Sequence, residues 1–128
     1  MAELSPARKR TLELQARVFK LAATVLSACP QDIPDIASRE VWRQLVKASL
    51  SASNNLEEAD EASSTADFIA KMKIALREAK EARRCLQFIT RCELRNWKQV
   101  ASLDDEAYQI SAIFAKIVIN TKRRIDSA

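Results

Sequence analysis

Five basic residues recur along one predicted helix at spacings that keep them on one face. The steps between them are four, three, four and seven residues, and they are Lys73, Arg77, Lys80, Arg84 and Arg91. Such a row, called the basic row below, predicts contacts with successive phosphates of a nucleic acid. It contains no aromatic residue and therefore favours backbone contacts without base stacking or sequence readout. The alternative is a solvated helix face that keeps the protein soluble.

Two shorter basic clusters have the same residue types. Arg39, Arg43 and Lys47 are four residues apart, and residues 8–10 are three consecutive basic residues. Each cluster alone favours a solvated face over a binding site.

An acidic run on the preceding predicted helix offers other chemistry, and its members are Glu57, Glu58, Asp60 and Glu61. Paired carboxylates can bind a metal ion or exchange protons, and Ser51 and Asn55 nearby would complete a small-molecule site. Nothing else in the sequence converges on the run, so a negative helix surface, or a contact with another subunit's basic row, is the favoured interpretation. Polar residues 51 and 53–55 are poor helix formers in mid-helix, which predicts that they either form hydrogen bonds across an interface or belong to a functional site.

The composition excludes most familiar enzyme sites. Among the 128 residues there is no Gly and no His. Phosphate-binding glycine loops are thereby excluded, as are Ser–His–Asp triads and histidine zinc ligands. Lys and Arg number 21 against 17 Asp and Glu, and the net charge of +4 permits an acidic partner. We therefore expect no catalytic residue, no cofactor and no metal.

Cysteine usage and hydropathy predict where the protein resides. The sequence has three cysteines, Cys29, Cys85 and Cys92, and they form no CxxC motif. An odd number of cysteines without this motif is typical of a reduced, intracellular protein, and we expect the thiols to be buried. No apolar run approaches the ~18 residues of a membrane span, and the N-terminal segment lacks the uncharged region of a signal peptide. We expect a cytoplasmic protein that does not enter a membrane.

Four helices must position these residues. Apolar residues recur at steps of three and four along four segments, none of which alternates as a strand does. Pro30 and Pro34 interrupt the chain between the first two. The sequence predicts an all-α, antiparallel up-down four-helix bundle in a single domain over residues 1–128. The expected helices cover about residues 5–29, 38–61, 65–95 and 103–124, with Ser64–Asp67 and Ser102–Asp105 as capping pairs.

Several helices carry a second apolar stripe beyond the one that a small bundle needs. Leu12, Phe19 and Leu26 form it on the first helix. The third helix adds Ile69, Leu76, Phe88 and two cysteines, and the fourth adds Ile113, Val118 and Ile119. An apolar patch of this kind usually marks an interface, so the sequence predicts a homo-oligomer. The alternative is a monomer with scattered surface apolar residues.

Three stretches resemble the 23S ribosomal RNA intervening-sequence proteins, to which the accessory variability determinants of diversity-generating retroelements are related. The stretches are residues 51–59 (SASNNLEEA), 64–71 (STADFIAK) and 74–81 (IALREAKE). The family pattern falls on Ser51, Asn55, Glu58, Asp67, Phe68, Ile69, Lys71, Glu78 and Leu86. The resemblance implies a bacterial, cytosolic homopentamer of four-helix bundles without enzyme activity. Its retroelement members resemble basic, nucleic-acid-binding partners of a reverse transcriptase.

Three functions fit these observations. The first is a non-catalytic homo-oligomer that binds structured RNA or DNA through the basic row. The second is a protein-interaction scaffold in which nucleic acid has no part. The third, which is less favoured, is a small-molecule or metal binder that uses Ser51, Asn55, Glu57 and Glu58.

Overall fold

The computed structural model describes residues 3–127, and within them every regular element is a helix. The helices are α1 (Pro6–Ala28), α2 (Ile36–Asp60), α3 (Thr65–Arg91), the one-turn α4 (Trp97–Val100) and α5 (Leu103–Asp126). The four long helices pack as neighbours in the order α1, α2, α3 and α5, and α5 returns to α1. The predicted all-α four-helix bundle is confirmed. None of the helices within residues 3–127 is long and apolar enough to cross a membrane.

Serine and aspartate side chains begin three of the long helices. Ser5 Oγ accepts from the Arg8 N–H at 3.0 Å, and Ser64 Oγ accepts from the Asp67 N–H at 3.0 Å. The second helix was expected near residue 38 but begins at Ile36, because the carboxylate of Asp35 caps it by accepting from the Ser38 N–H. The prediction that Ser102 caps α5 with Asp105 is wrong: Ser102 makes no side-chain cap bond.

The core forms where the apolar seams of the long helices meet. Trp42, Leu45, Leu86 and Phe114 are completely buried, and each stabilises the fold by about 2–3 kcal/mol relative to an exposed position. Small residues in the middle of α2 and α3 let these two helices make the most extensive contact of the bundle; they are Ala48, Ser49, Ala52, Ala75, Ala79 and Ala82.

The third helix ends at Arg91, four residues before the predicted boundary at residue 95. The chain then turns through left-handed backbone at Glu93 (φ 49°) and Asn96 (φ 63°). Two tertiary hydrogen bonds hold this turn: Asn96 Nδ2 donates to the Ala28 carbonyl at 2.8 Å, and Trp42 Nε1 donates to the Arg95 carbonyl at 2.9 Å. They outweigh the helical propensity of the segment, because they satisfy polar groups beside a buried indole.

Candidate nucleic-acid interface

The basic row lies on the outer face of α3. All five of its residues are exposed, whereas the helix buries its opposite face through Ala75, Ala82 and Leu86. From Lys73 to Arg91 the row rises by about 27 Å, at 1.5 Å per residue. It therefore presents a straight line of cations along most of the length of the bundle.

Few acidic groups neutralise the row. Arg77 Nε lies 3.6 Å from Glu78 Oε1. Within residues 3–127, none of the other four cations has a carboxylate oxygen within 4.0 Å. Lys122 on α5 lies within hydrogen-bonding distance of Lys73, and this contact, together with like-charge repulsion, lowers the pKa of Lys73. The cationic surface thus extends from α3 onto α5.

The neighbouring helix α5 adds residues that the sequence patterns had not linked to the row. A groove between α3 and α5 has a volume of about 380 Å³ and is lined by Lys80, Arg83, Arg84, Gln87, Tyr108, Ser111, Ala112 and Ala115. The guanidinium carbon of Arg83 lies 4.8 Å from the centroid of the Tyr108 ring. An aromatic side chain therefore does border the row. Spacing within one helix carries no information on the register of its neighbour, so the sequence could not reveal it.

The two shorter basic clusters are partly neutralised within the chain. Arg43 pairs with Glu40 at 2.8 Å, and the hydrogen bonds from Arg43 and Gln44 lower the pKa of Glu40 to about 2. Arg8 pairs with Asp60 at 2.7 Å. Arg39 and Lys47 are exposed. These clusters are weaker candidates for phosphate contacts than the basic row.

The acidic run is divided between ion pairs and solvent. Asp60 accepts hydrogen bonds from Arg8 and Gln15, which lower its pKa, and Glu58 lies 3.5 Å from Lys71. Glu57 and Glu61 are exposed. Within residues 3–127, no three His, Cys, Asp or Glu side chains are grouped in a way that could hold a metal ion.

The residues of the family pattern lie on α2 and α3, and one ion pair among them joins these two helices. Asn55 Nδ2 donates to the carbonyl oxygen of Ser51 at 2.9 Å and to its hydroxyl at 3.1 Å. Glu58 and Lys71 join the two helices directly. The remaining members lie along α3: Asp67 in its first turn, Phe68 and Ile69 half-buried, Glu78 half-buried beside Arg77, and Leu86 in the core. Glu58 and Lys71 are thus the members of the pattern whose polar contact links α2 with α3.

Two of the three cysteines are unsuited to nucleophilic chemistry. Burial, aided by the nearby charge of Glu81, raises the pKa of the Cys85 thiol to about 11, and burial also raises the pKa of Cys29. The expectation of buried thiols is wrong for Cys92, which is exposed at the end of α3. A raised pKa reduces the thiolate fraction near neutral pH, and the thiolate is the reactive form.

The outer face of α1 is apolar and exposed. Leu12, Ala16, Phe19, Ala23 and Leu26 follow one another at steps of four, three, four and three, and the Phe19 residue is 64% exposed. This set, called the α1 strip below, points away from the buried face formed by Val18, Leu21 and Val25. A heptad spacing of exposed apolar residues is typical of a helix that packs against another chain.

These observations define a class: an all-α bundle with a basic outer helix and an apolar outer helix. The chain belongs to the 23S rRNA-intervening sequence protein family, whose model matches residues 10–116. A comparison with curated protein sequences finds no match. Among solved structures, the chain is similar to a protein of unknown function from the S23 ribosomal protein family of Bacteroides thetaiotaomicron VPI-5482. The two share 26% identity and a TM-score of 0.61, over 86% of this chain and 95% of the other.

Proposed function

We propose that this protein is a non-catalytic, self-associating four-helix bundle that binds structured nucleic acid through the basic row. The row itself carries the proposal. Four of its five cations, all except Arg77, have no carboxylate within 4.0 Å in the described part of the chain. Phosphates recur about every 3.4 Å along each strand of a duplex, so a row of about 27 Å spans roughly eight base pairs.

Binding through the row is expected to be electrostatic and independent of sequence. Each Lys or Arg that meets a phosphate releases a condensed counterion, which makes the affinity strongly salt-dependent. Lys73 and Lys122 repel one another in the unbound protein. A phosphate near both would relieve that repulsion, because it is attracted to each of them.

Self-association is the second part of the proposal, and the α1 strip supports it. An exposed row of Leu, Ala and Phe at heptad spacing lowers the solubility of a protein unless another chain covers the row. The family resemblance implies a ring of five copies in a bacterial cytoplasm, and we adopt five subunits as the expected number. The expected relation to the accessory variability determinants of retroelements is likewise part of the proposal.

Sedimentation of single variants tests self-association. Phe19→Glu places a charge in the middle of the α1 strip and should reduce the molar mass measured by analytical ultracentrifugation. Ile36→Glu is the matched control, because Ile36 is 75% exposed at the start of α2, outside the strip. A wild-type monomer, or equal behaviour of both variants, would remove the strip from the proposal.

The alternative is a protein-interaction scaffold, and one groove favours it. Between α1 and α5 a cleft of about 700 Å³ has half-buried Leu14, Phe68 and Ile117 on its floor and the basic residues Arg10 and Arg124 among its lining. Such a cleft fits an amphipathic helix with an acidic flank. In this alternative, the basic row only keeps the protein soluble and contacts no nucleic acid.

Fluorescence anisotropy at several salt concentrations separates the two functions. Labelled structured RNA and duplex DNA are titrated with the full chain. We expect micromolar or tighter binding. The logarithm of the association constant should fall steeply as the logarithm of the salt concentration rises. Absence of binding at low salt, where electrostatic attraction is strongest, would refute nucleic-acid binding and leave the scaffold function.

A further inference from the structure

The groove between α3 and α5 has the dimensions of a ligand site and opens beside the basic row. Its volume of about 380 Å³ falls within the range of small-molecule pockets. Ala112 and Ala115 of α5 are among its lining residues, and their small side chains leave room between the helices. Lys80 and Arg84 line the α3 side and belong to the row. A molecule in this groove is therefore within reach of two row cations.

Tyr108 gives this groove an aromatic surface that is held in place before any ligand arrives. The residue is 53% exposed, so part of the side chain remains accessible. The Arg83 guanidinium lies over the ring, and Arg83 Nε donates to Asp104 Oδ1 at 2.7 Å. The ion pair orients the guanidinium, and the guanidinium contacts the ring through a cation–π interaction. A prepositioned ring loses little conformational freedom when a planar group stacks on it.

The chemistry of the lining selects the kind of ligand. An aromatic ring and a guanidinium both provide flat surfaces, and nucleobases stack on such surfaces whatever their sequence. Lys80 and Arg84 provide positive charge for the phosphate that any nucleotide carries. An acidic peptide would satisfy these cations but would offer no planar group to the Tyr108 ring. Bases within a duplex are already stacked, so only an unpaired base can use the ring.

We infer that the α3–α5 groove binds an unpaired nucleotide, with the base stacked on Tyr108 and its phosphates near Lys80 and Arg84. This inference rests on the proposed function, because the remainder of the same nucleic acid would lie along the basic row. It changes the expected ligand from a uniform duplex to one with an unpaired nucleotide adjoining the duplex. The basic row supplies affinity for the nucleic acid, and the groove supplies the preference for an unpaired nucleotide.

Two RNA duplexes built from strands of equal length test the preference. One has blunt ends, and the other pairs fewer bases and carries short 3′ overhangs, so that both have the same number of phosphates and only the second has unpaired bases. Wild-type protein should bind the overhang duplex roughly 5- to 150-fold more tightly, the range for stacking one base on an aromatic side chain. Tyr108→Leu should abolish this difference, and Tyr108→Phe should retain it. The salt dependence should be the same in all three proteins, since none has lost a phosphate contact.

A fluorescent base locates the stacking directly. With 2-aminopurine in the overhang, its fluorescence should be quenched by the wild type and by Tyr108→Phe but not by Tyr108→Leu. Circular dichroism melting of both variants verifies that the bundle is intact. Equal binding of the two duplexes by wild type, or quenching by Tyr108→Leu, would overturn the inference while leaving binding by the row in place. Failure of wild type to bind either duplex at low salt would instead refute the proposed function.

Discussion

Replacing three cations of the basic row with neutral residues should weaken nucleic-acid binding by an amount that follows from the number of charges removed. The variant replaces Lys73, Lys80 and Arg84 with Gln, and none of the three has a carboxylate within 4.0 Å in the described chain. Each phosphate contact contributes about 0.9 to the slope of log affinity against log salt for duplex DNA. Three lost contacts therefore reduce the slope by about 2.7. At 0.1 M salt each lost contact lowers the affinity roughly eightfold, so that all three together lower it by several hundredfold, on the order of 500-fold.

Anisotropy with a labelled duplex measures both quantities, and the chain provides a matched control. Replacing Arg39, Arg43 and Lys47 with Gln removes the same three charges from α2. Both variants have a net charge of +1 instead of +4, so a purely global charge effect would be equal in the two. We expect the α2 variant to lose little affinity, because its residues lie outside the row. Neither variant should unfold, since like charges at these helical spacings repel by only a few tenths of a kcal/mol.

Two results would refute this reasoning. Equal losses in the two variants would mean that net charge, rather than the row, governs binding. An unchanged salt slope in the α3 variant would mean that its three cations meet no phosphate.

Three further predictions concern the bundle itself. Asn96→Ala should lower the free energy of unfolding by about 2 kcal/mol, because it loses the hydrogen bond to the Ala28 carbonyl and places a poorly suited residue at φ 63°; a urea-unfolding change below about 0.5 kcal/mol would contradict it. Arg17 lowers the pKa of Glu106, so their pairing stabilises the fold above the ordinary carboxyl pKa near 4.5 and is lost as pH falls through the lowered value. The stability difference between wild type and Glu106→Gln should therefore be larger at pH 6 than at pH 3, and a difference independent of pH would count against the pairing. A chromogenic disulfide reagent at pH 7.5 should modify exposed Cys92 well before Cys85, whose pKa burial raises to about 11; equal rates would contradict this order.

The sequence predicted the core of the bundle well, because burial on a helix follows a period that can be read along the chain. The spacing predicted a buried seam from Trp42 to Ala59 on α2 and from Phe68 to Ile89 on α3; both are buried except for Phe68, which is half-buried. The exposed line of the basic row follows from the same period. The second stripe on α1 was also anticipated, and Leu12, Phe19 and Leu26 are all exposed.

Helix ends were less predictable, because they depend on contacts from distant parts of the chain. Arg95 has ordinary helical propensity, yet its carbonyl accepts the indole N–H of Trp42 from another helix. Asn96 adopts left-handed backbone while its amide binds α1. Ser102 had the sequence signature of a capping residue, but its side chain caps nothing.

By itself, the sequence determined the helical class, the seams that form the core and the straight row of cations on α3, since each follows from the 3.6-residue period of a single helix. Only the tertiary structure decided which residues of other helices adjoin that row. It placed Lys122 beside Lys73, and it placed the ring of Tyr108 next to Arg83 across the α3–α5 groove. The physical reason is that the register between two packed helices is set by how their side chains interlock along the whole contact, and no local pattern in either helix contains that information.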